Sequence, residues 1–189
     1  VFAKNKKAAA SLSAQITDGS MKKVYQAVCC VTEAGRHWIG NAGKNDQELI
    51  DYMAKDARTN SSAVVKKGQK DAKEARLSFR VMAADGLPYV LVEIHLDTGR
   101  HHQIRVQMAH AGLPLFGDRK YNPEWELYAK VWQTQMVNES ADHVAARLQA
   151  AELALCATEL TFRHPKTGKP MHFQVKPQKR IFQMFQGTR

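Results

Sequence analysis

The chain is poor in cysteine, in acid and in unbroken apolar sequence. Of its three cysteines, Cys29 and Cys30 are adjacent and Cys156 is remote. They make neither a Cys-x-x-Cys pair nor an even-numbered framework, which excludes a disulfide-stapled scaffold and fits a reducing compartment. With 44% hydrophobic and 24% charged residues the composition is close to that of soluble globular proteins, which argues against a disordered or collagen-like chain. No apolar run approaches the roughly 18 residues of a spanning helix, and the N-terminus lacks the apolar centre of a secretion signal, so a soluble, cytoplasmic protein is expected. Asp and Glu number 18 against 28 Lys and Arg, a formal charge of +10, which calls for a polyanionic partner. Nucleic acid is favoured over membrane, because no amphipathic helix pairs a strongly basic face with Trp, Phe and Leu.

What is present is patterned for one domain. Asn5 is placed to cap a helix in which Ala9, Leu12 and Ile16 recur at helical spacing until Asp18-Gly19. Lys22 to Val31 reads as a largely buried strand containing Tyr25. Asp46 to Asp56, with Leu49, Ile50 and Met53, is predicted to be a short helix, and the lysine-rich Arg58 to Lys73 a loop or exposed hairpin. Ala75, Leu77, Phe79 and Val81 alternate with polar neighbours, and Val90, Val92, Ile94 and Leu96 do the same after a turn at Asp85-Gly86. Ile104, Met108 and Ala111 predict a helix ended by Gly112 and Pro114. Pro123 to Ala151 reads as mostly helical, Leu153 to Arg163 and Met171 to Val175 as a hairpin turned at Thr167-Gly168, and Arg180 to Phe185 as a closing helix. The fold class is α+β: a mixed, mainly antiparallel sheet flanked by short helices and loops.

The densest polar run, Asp97-Thr98-Gly99-Arg100-His101-His102-Gln103-Ile104-Arg105, falls at a strand-to-helix junction. Arg105 follows the core-facing Ile104 and precedes Met108 by a turn, so its guanidinium should be partly buried and in need of a carboxylate or phosphate partner. A paired arginine beside a cleft is a candidate site. His95, His101, His102 and His110 lack a cysteine or second acid at zinc-site spacing, so no metal is expected. Serine-hydrolase, phosphate-loop and dinucleotide signatures are missing too, and no cofactor is expected. Lys66, Lys67, Lys70 and Lys73 could clamp phosphates or simply be solvated.

Thr98-Gly99-Arg100-x-His102-Gln103-Ile104-Arg105, followed by Pro114-Leu115-Phe116-Gly117-Asp118-Arg119-Lys120-Tyr121, resembles the signature of the RluA family of pseudouridine synthases. Lys22-Lys23-Val24-Tyr25-Gln26-Ala27 resembles its basic-x-Tyr strand, and Leu160-x-Phe162-x-His164-Pro165 with Thr167-Gly168-Lys169 its C-terminal strand and hairpin. The resemblance implies isomerisation of uridine to pseudouridine in ribosomal or transfer RNA, without cofactor, with an RNA cleft across the sheet. Tyr25 would lie against the uracil and Arg105 would pair with an essential aspartate. Lys23, Arg100, His101, His102, Gln103 and Lys120 would bind RNA, and Ile104 and Leu160 would wall the uracil pocket. His102 and Gln103 could instead position Arg105, and Leu160 could be ordinary core.

In the family the aspartate belongs to a His-Arg-Leu-Asp motif, which these 189 residues do not contain. The family order puts it a few residues before Val1, so the chain is read as a catalytic domain lacking its N-terminal portion and as inactive alone. Asp18, Asp97 and Asp118 occupy other positions and are not its replacement. A monomer is expected. The rival readings are a non-catalytic RNA-binding paralogue or chaperone that keeps the basic cleft, and a structural ribosome-associated protein.

Overall fold

The first helix forms because Asn5, in extended conformation, accepts a hydrogen bond from the Ala8 amide through its side chain. In the computed structural model, which describes residues 1–40, 45–84, 88–136 and 152–185, this helix (α1, Lys6–Thr17) docks through two groups. Leu12 packs on Met21 and Phe162. The buried Gln15 amide donates to the Arg163 carbonyl at 2.9 Å and accepts from its N–H at 2.6 Å, satisfying a strand end that would otherwise be open.

Among the described residues seven strands form one sheet: β1 Lys22–Cys30, β2 Gln47–Asp56, β3 Ser61–Val65, β4 Lys73–Ala83, β5 Tyr89–Leu96, β6 Leu155–Arg163 and β7 Pro170–Gln174. Their spatial order is β3-β2-β4-β5-β1-β6-β7, and every pairing is antiparallel. The alternation in β4 and β5 becomes burial of one face. Leu77, Phe79 and Val81 meet Val90, Val92 and Ile94 in the main core, where α3 (Gln103–His110) adds Ile104 and Met108. On the opposite face, Val28, Cys30 and Tyr89 pack against Tyr128 and Ala129 of α4 (Trp125–Met136) and against Ile181 and Phe182 of α5 (Arg180–Gln183). A short α2 (Arg36–Ile39) lays Trp38 edge-on against Phe79.

The helix expected over 46–56 is strand β2, a correction with a physical cause. Leu49, Asp51 and Met53 point toward the core side, so an acid interrupts the apolar alternation and leaves Leu49, Ile50 and Met53 looking helical. The buried Gln107 on α3 absorbs that acid, donating to Asp51 Oδ2 at 2.8 Å, and His110 lies 3.4 Å from Oδ1. The lysine-rich segment does contain a hairpin, through β3. The expected turn at Asp85-Gly86 and the expected helical stretch over 137–151 lie outside the described residues. Among those residues, no helix is long and apolar enough to cross a membrane.

Candidate active site

β1 runs through the sheet between β5 and β6, and its register places Tyr25 opposite Ile94 and Lys23 opposite Leu160. Lys23, Tyr25, Ala27 and Cys29 therefore share the face that carries the main core. Tyr25 is half-buried at the edge of that core, and burial raises its phenol above the ordinary value. At the α1 end of this face opens a cleft of about 370 Å³ lined by Leu12, Ile16, Met21, Lys23 and Leu160, with Val1 and Ala3 at its margin. Lys23 reaches from it toward the loop after β5, where its Nζ lies 3.7 Å from the place a Cβ would take on Gly99.

That loop is built by internal hydrogen bonds. Thr98 Oγ1 donates to Gln103 Oε1 at 2.8 Å and accepts from the Arg76 amide at 2.8 Å. Gln103 Oε1 also accepts from the Arg100 amide, and Gln103 Nε2 donates to the Arg76 carbonyl and to Gln107 Oε1. Only 3% of Gln103 is exposed. The expectation that Gln103 binds RNA is thus corrected: its amide is committed within the protein and holds the loop. Ile104 is likewise core, packed with Leu77, Phe79 and Met108 rather than walling an open pocket.

His102 precedes α3 in the left-handed conformation, φ 54°. Its ring stacks on His101 at 3.8 Å, and its Nδ1 lies 2.9 Å from the Tyr121 hydroxyl. That hydroxyl accepts from the Ser62 amide on β3 at 3.0 Å, leaving its own proton for His102 Nδ1, while Ser62 Oγ bonds His101 Nδ1 at 2.9 Å. Both imidazoles are held below their ordinary value, first by burial and then by nearby cations, Arg105 and Lys120 acting on both and Lys55 on His101.

Arg105 finds its acid within the chain. Nε and Nη2 donate to the two oxygens of Asp118 at 2.8 and 2.7 Å, and the guanidinium lies over the Tyr121 ring, 4.8 Å from its centroid. Asp118 is fully buried and also accepts from the amides of Lys120 and Tyr121. Those bonds raise the Arg105 pKa above its ordinary value. The sequence reading expected Arg105 to pair with an essential aspartate of the family motif; within the chain its partner is Asp118. The segment after Gly112 is strapped to β1, with Cys30 N–H donating to Pro114 O and Phe116 N–H to Val28 O, and this brings Asp118 under α3. Nη1 bonds no described residue.

Of the other expected contacts, Arg100 is exposed and donates through Nε to the Glu74 carbonyl at 2.8 Å. Lys120 is exposed too, its ammonium held by the carbonyls of Thr59 and Asn60 at 3.0 and 2.9 Å. Leu160 is half-buried and borders the α1 cleft. Sequence reasoning missed Asp118 as the Arg105 partner, and Tyr121 and Ser62 as the link from α3 to the β2–β3 hairpin. The signal for the first two lay in the run Gly117-Asp118-Arg119-Lys120-Tyr121; Ser62 carried none.

Fold and site together define an α+β domain with an open, basic site on the face of a central antiparallel strand. The sequence profile of RNA pseudouridylate synthases matches residues 1–110. The chain belongs to that family, and its relatives are of the RluA type. It is 28% identical over 181 residues to a tRNA pseudouridine synthase C of Vibrio cholerae, covering 90% of this chain and 64% of the relative. An uncharacterized RNA pseudouridine synthase of Bacillus subtilis is 30% identical over 176 residues, covering 93% and 46%. The dual-specificity RNA pseudouridine synthase RluA of Haemophilus influenzae is 28% identical over 176 residues, covering 93% and 66%. The chain thus spans about half to two thirds of the length of these curated relatives. The fold matches human RNA pseudouridylate synthase domain containing 4, with TM-score 0.62 at 17% identity over 94% of this chain and 66% of that one. Human RNA pseudouridylate synthase domain containing 1 gives TM-score 0.59 at 17% identity over 97% and 71%.

Proposed function

We propose that the protein isomerises a uridine in transfer or ribosomal RNA to pseudouridine. The observation that carries this reading is the half-buried Tyr25 on β1, at the edge of the core that α3 caps with Ile104, while the same helix holds Arg105 rigid against Asp118. In the reaction the N1–C1′ bond breaks, the uracil rotates and a C5–C1′ bond forms. N1 gains a proton and C5 loses one, so no redox partner is needed. Tyr25 offers an extruded base an aromatic surface. The Asp118 pair leaves Arg105 Nη1 as the donor for a catalytic aspartate of the family's His-Arg-Leu-Asp type. Lys23, Arg100, His101, His102 and Lys120 supply cations and polar donors for the RNA strand. The protein works in this reading as a cytoplasmic monomer.

The test is release of tritium by the protein from RNA labelled at uridine C5. Release from transfer or ribosomal RNA supports the reading; failure on both removes it. A second reading, a non-catalytic RNA-binding paralogue, draws on the lack of His-Arg-Leu-Asp in these residues. It predicts RNA affinity in the complete protein with no tritium released.

A further inference from the structure

A second cleft, of about 390 Å³, lies between the β2–β3 hairpin and the loop after β5. It is lined by Met53, Lys55 and Ser62 from the hairpin, Asp71 and Lys73 at the start of β4, and Gly99, Arg100 and His101 from the loop. Three separate elements thus deliver three permanent cations and an imidazole to one depression that holds a single acid, Asp71. The arginines of the neighbouring strand β4 are ion-paired: Arg76 meets Glu48 and Glu74, and Arg80 meets Glu93 and Asp46. Lys55, Lys73 and Arg100 make no ion pair with any described residue. Arg100 is anchored through Nε alone, on the Glu74 carbonyl, which leaves both terminal nitrogens to the cleft. Gathering unpaired like charges costs energy in the free protein and is recovered when an anion arrives.

The cleft continues from the active face. Lys23 borders the α1 cleft, and its ammonium approaches Gly99, which lines the second cleft beside Arg100. A strand placed over Tyr25 and led past Lys23 would meet these cations next.

We propose that the cleft between the β2–β3 hairpin and the 97–102 loop is a phosphodiester subsite, in which Lys55, Lys73 and Arg100 hold the backbone of the RNA strand leaving the Tyr25 face. This rests on the proposed function and adds to it a wall, β2–β3, that the sequence motifs do not reach. The side chain of Ser62 holds His101 on the rim, and Asp71 opposes the bound phosphate.

The experiment measures binding of a single-stranded oligouridylate to the complete protein across a salt series, for the wild type, Lys55→Gln/Lys73→Gln and Asp71→Asn. All three side chains are exposed, and thermal melts verify that the variants stay folded. The double variant is expected to bind severalfold more weakly at low salt, its log K against log salt slope falling by about 0.7 for each phosphate that is no longer neutralised. Asp71→Asn is expected to bind more tightly than wild type. Unchanged affinity and slope in the double variant overturn the subsite, as does competition by polyglutamate equal to that of an oligouridylate of the same charge. If tritium release from C5-labelled RNA persists in that case, the subsite fails and the synthase reading stands. A wild type that neither binds RNA nor releases tritium overturns both.

Discussion

Arg105 and Asp118 face each other as a two-bond fork, with the carboxylate fully buried and the guanidinium side chain 19% exposed. Removing one partner strands the other charge in a poor solvent. Arg105→Met is expected to lower unfolding free energy by about 3–5 kcal/mol, the usual cost of breaking a buried pair. Arg105→Met with Asp118→Asn should recover part of that loss, since asparagine keeps an acceptor for the Lys120 or Tyr121 amide. Urea denaturation of the two variants checks this. Equal stability of Arg105→Met and wild type would show that the fork contributes nothing to the fold.

Gly117 precedes Asp118 with φ 73°, and a Cβ there would overlap the Glu152 carbonyl oxygen. Gly168, with φ 69°, has nothing within 4 Å of the same position. Gly168→Ala should therefore cost about 1–2 kcal/mol, the left-handed penalty alone. For Gly117→Ala the steric overlap adds to that penalty, giving about 3 kcal/mol or more. Comparing melting temperatures of the two alanine variants separates conformation from crowding.

The imidazoles of His101 and His102 sit below their ordinary value of 6.5 in the folded chain. The unfolded chain therefore takes up protons first as acid is added. Stability from these groups is complete above the ordinary value and falls as pH drops through it toward the folded-state value. Protonating His102 also forbids Nδ1 from accepting the Tyr121 hydroxyl proton. Thermal melts between about pH 5 and 8 should show stability rising with pH, and His102→Asn, which tolerates positive φ, should flatten the rise. A slope of the opposite sign would place a different group in control.

Burial holds the Tyr25 phenol above its ordinary value of 10.0, so at neutral pH it is a neutral hydroxyl. On the synthase reading, the rate of C5 tritium release should show no rising limb attributable to a Tyr25 phenolate below pH 10. Tyr25→Phe should keep RNA affinity, because the ring remains, and Tyr25→Leu should weaken it by about 1–3 kcal/mol if the base stacks there. A pH–rate profile and equilibrium binding of the two variants measure both effects in the complete protein.

Legibility in the sequence differs by element. β4 and β5 can be read because Leu77, Phe79 and Val81 and then Val90, Val92 and Ile94 keep strict alternation, and all are buried. α1 can be read because Asn5 caps it as its residue type suggests. β2 cannot, since the acid breaking its pattern, Asp51, accepts a hydrogen bond from Gln107 and lies beside His110, residues more than fifty positions away. For the site, Tyr25, Lys23 and Arg105 are marked by motif, whereas the Arg105 partner is not. Its identity depends on how the 112–118 segment folds back over β1, a matter of tertiary geometry rather than local pattern. Gln103 misleads for the related reason that a polar side chain beside a basic cluster can serve the backbone as well as a ligand.

His102 starts α3 in a left-handed conformation, and Gln103 ties the first turn to the Arg76 backbone. The rotational phase of the helix is thereby set at its origin. One residue inserted between Gln103 and Arg105 would turn everything beyond it by roughly 100°, carrying the guanidinium off Asp118 and Met108 out of its packing. An insertion at the exposed Thr167-Gly168 turn, where nothing lies within 4 Å of the place a Cβ would take on Gly168, leaves that helical phase untouched, whereas the stretch from Thr98 to Arg105 is fixed in count.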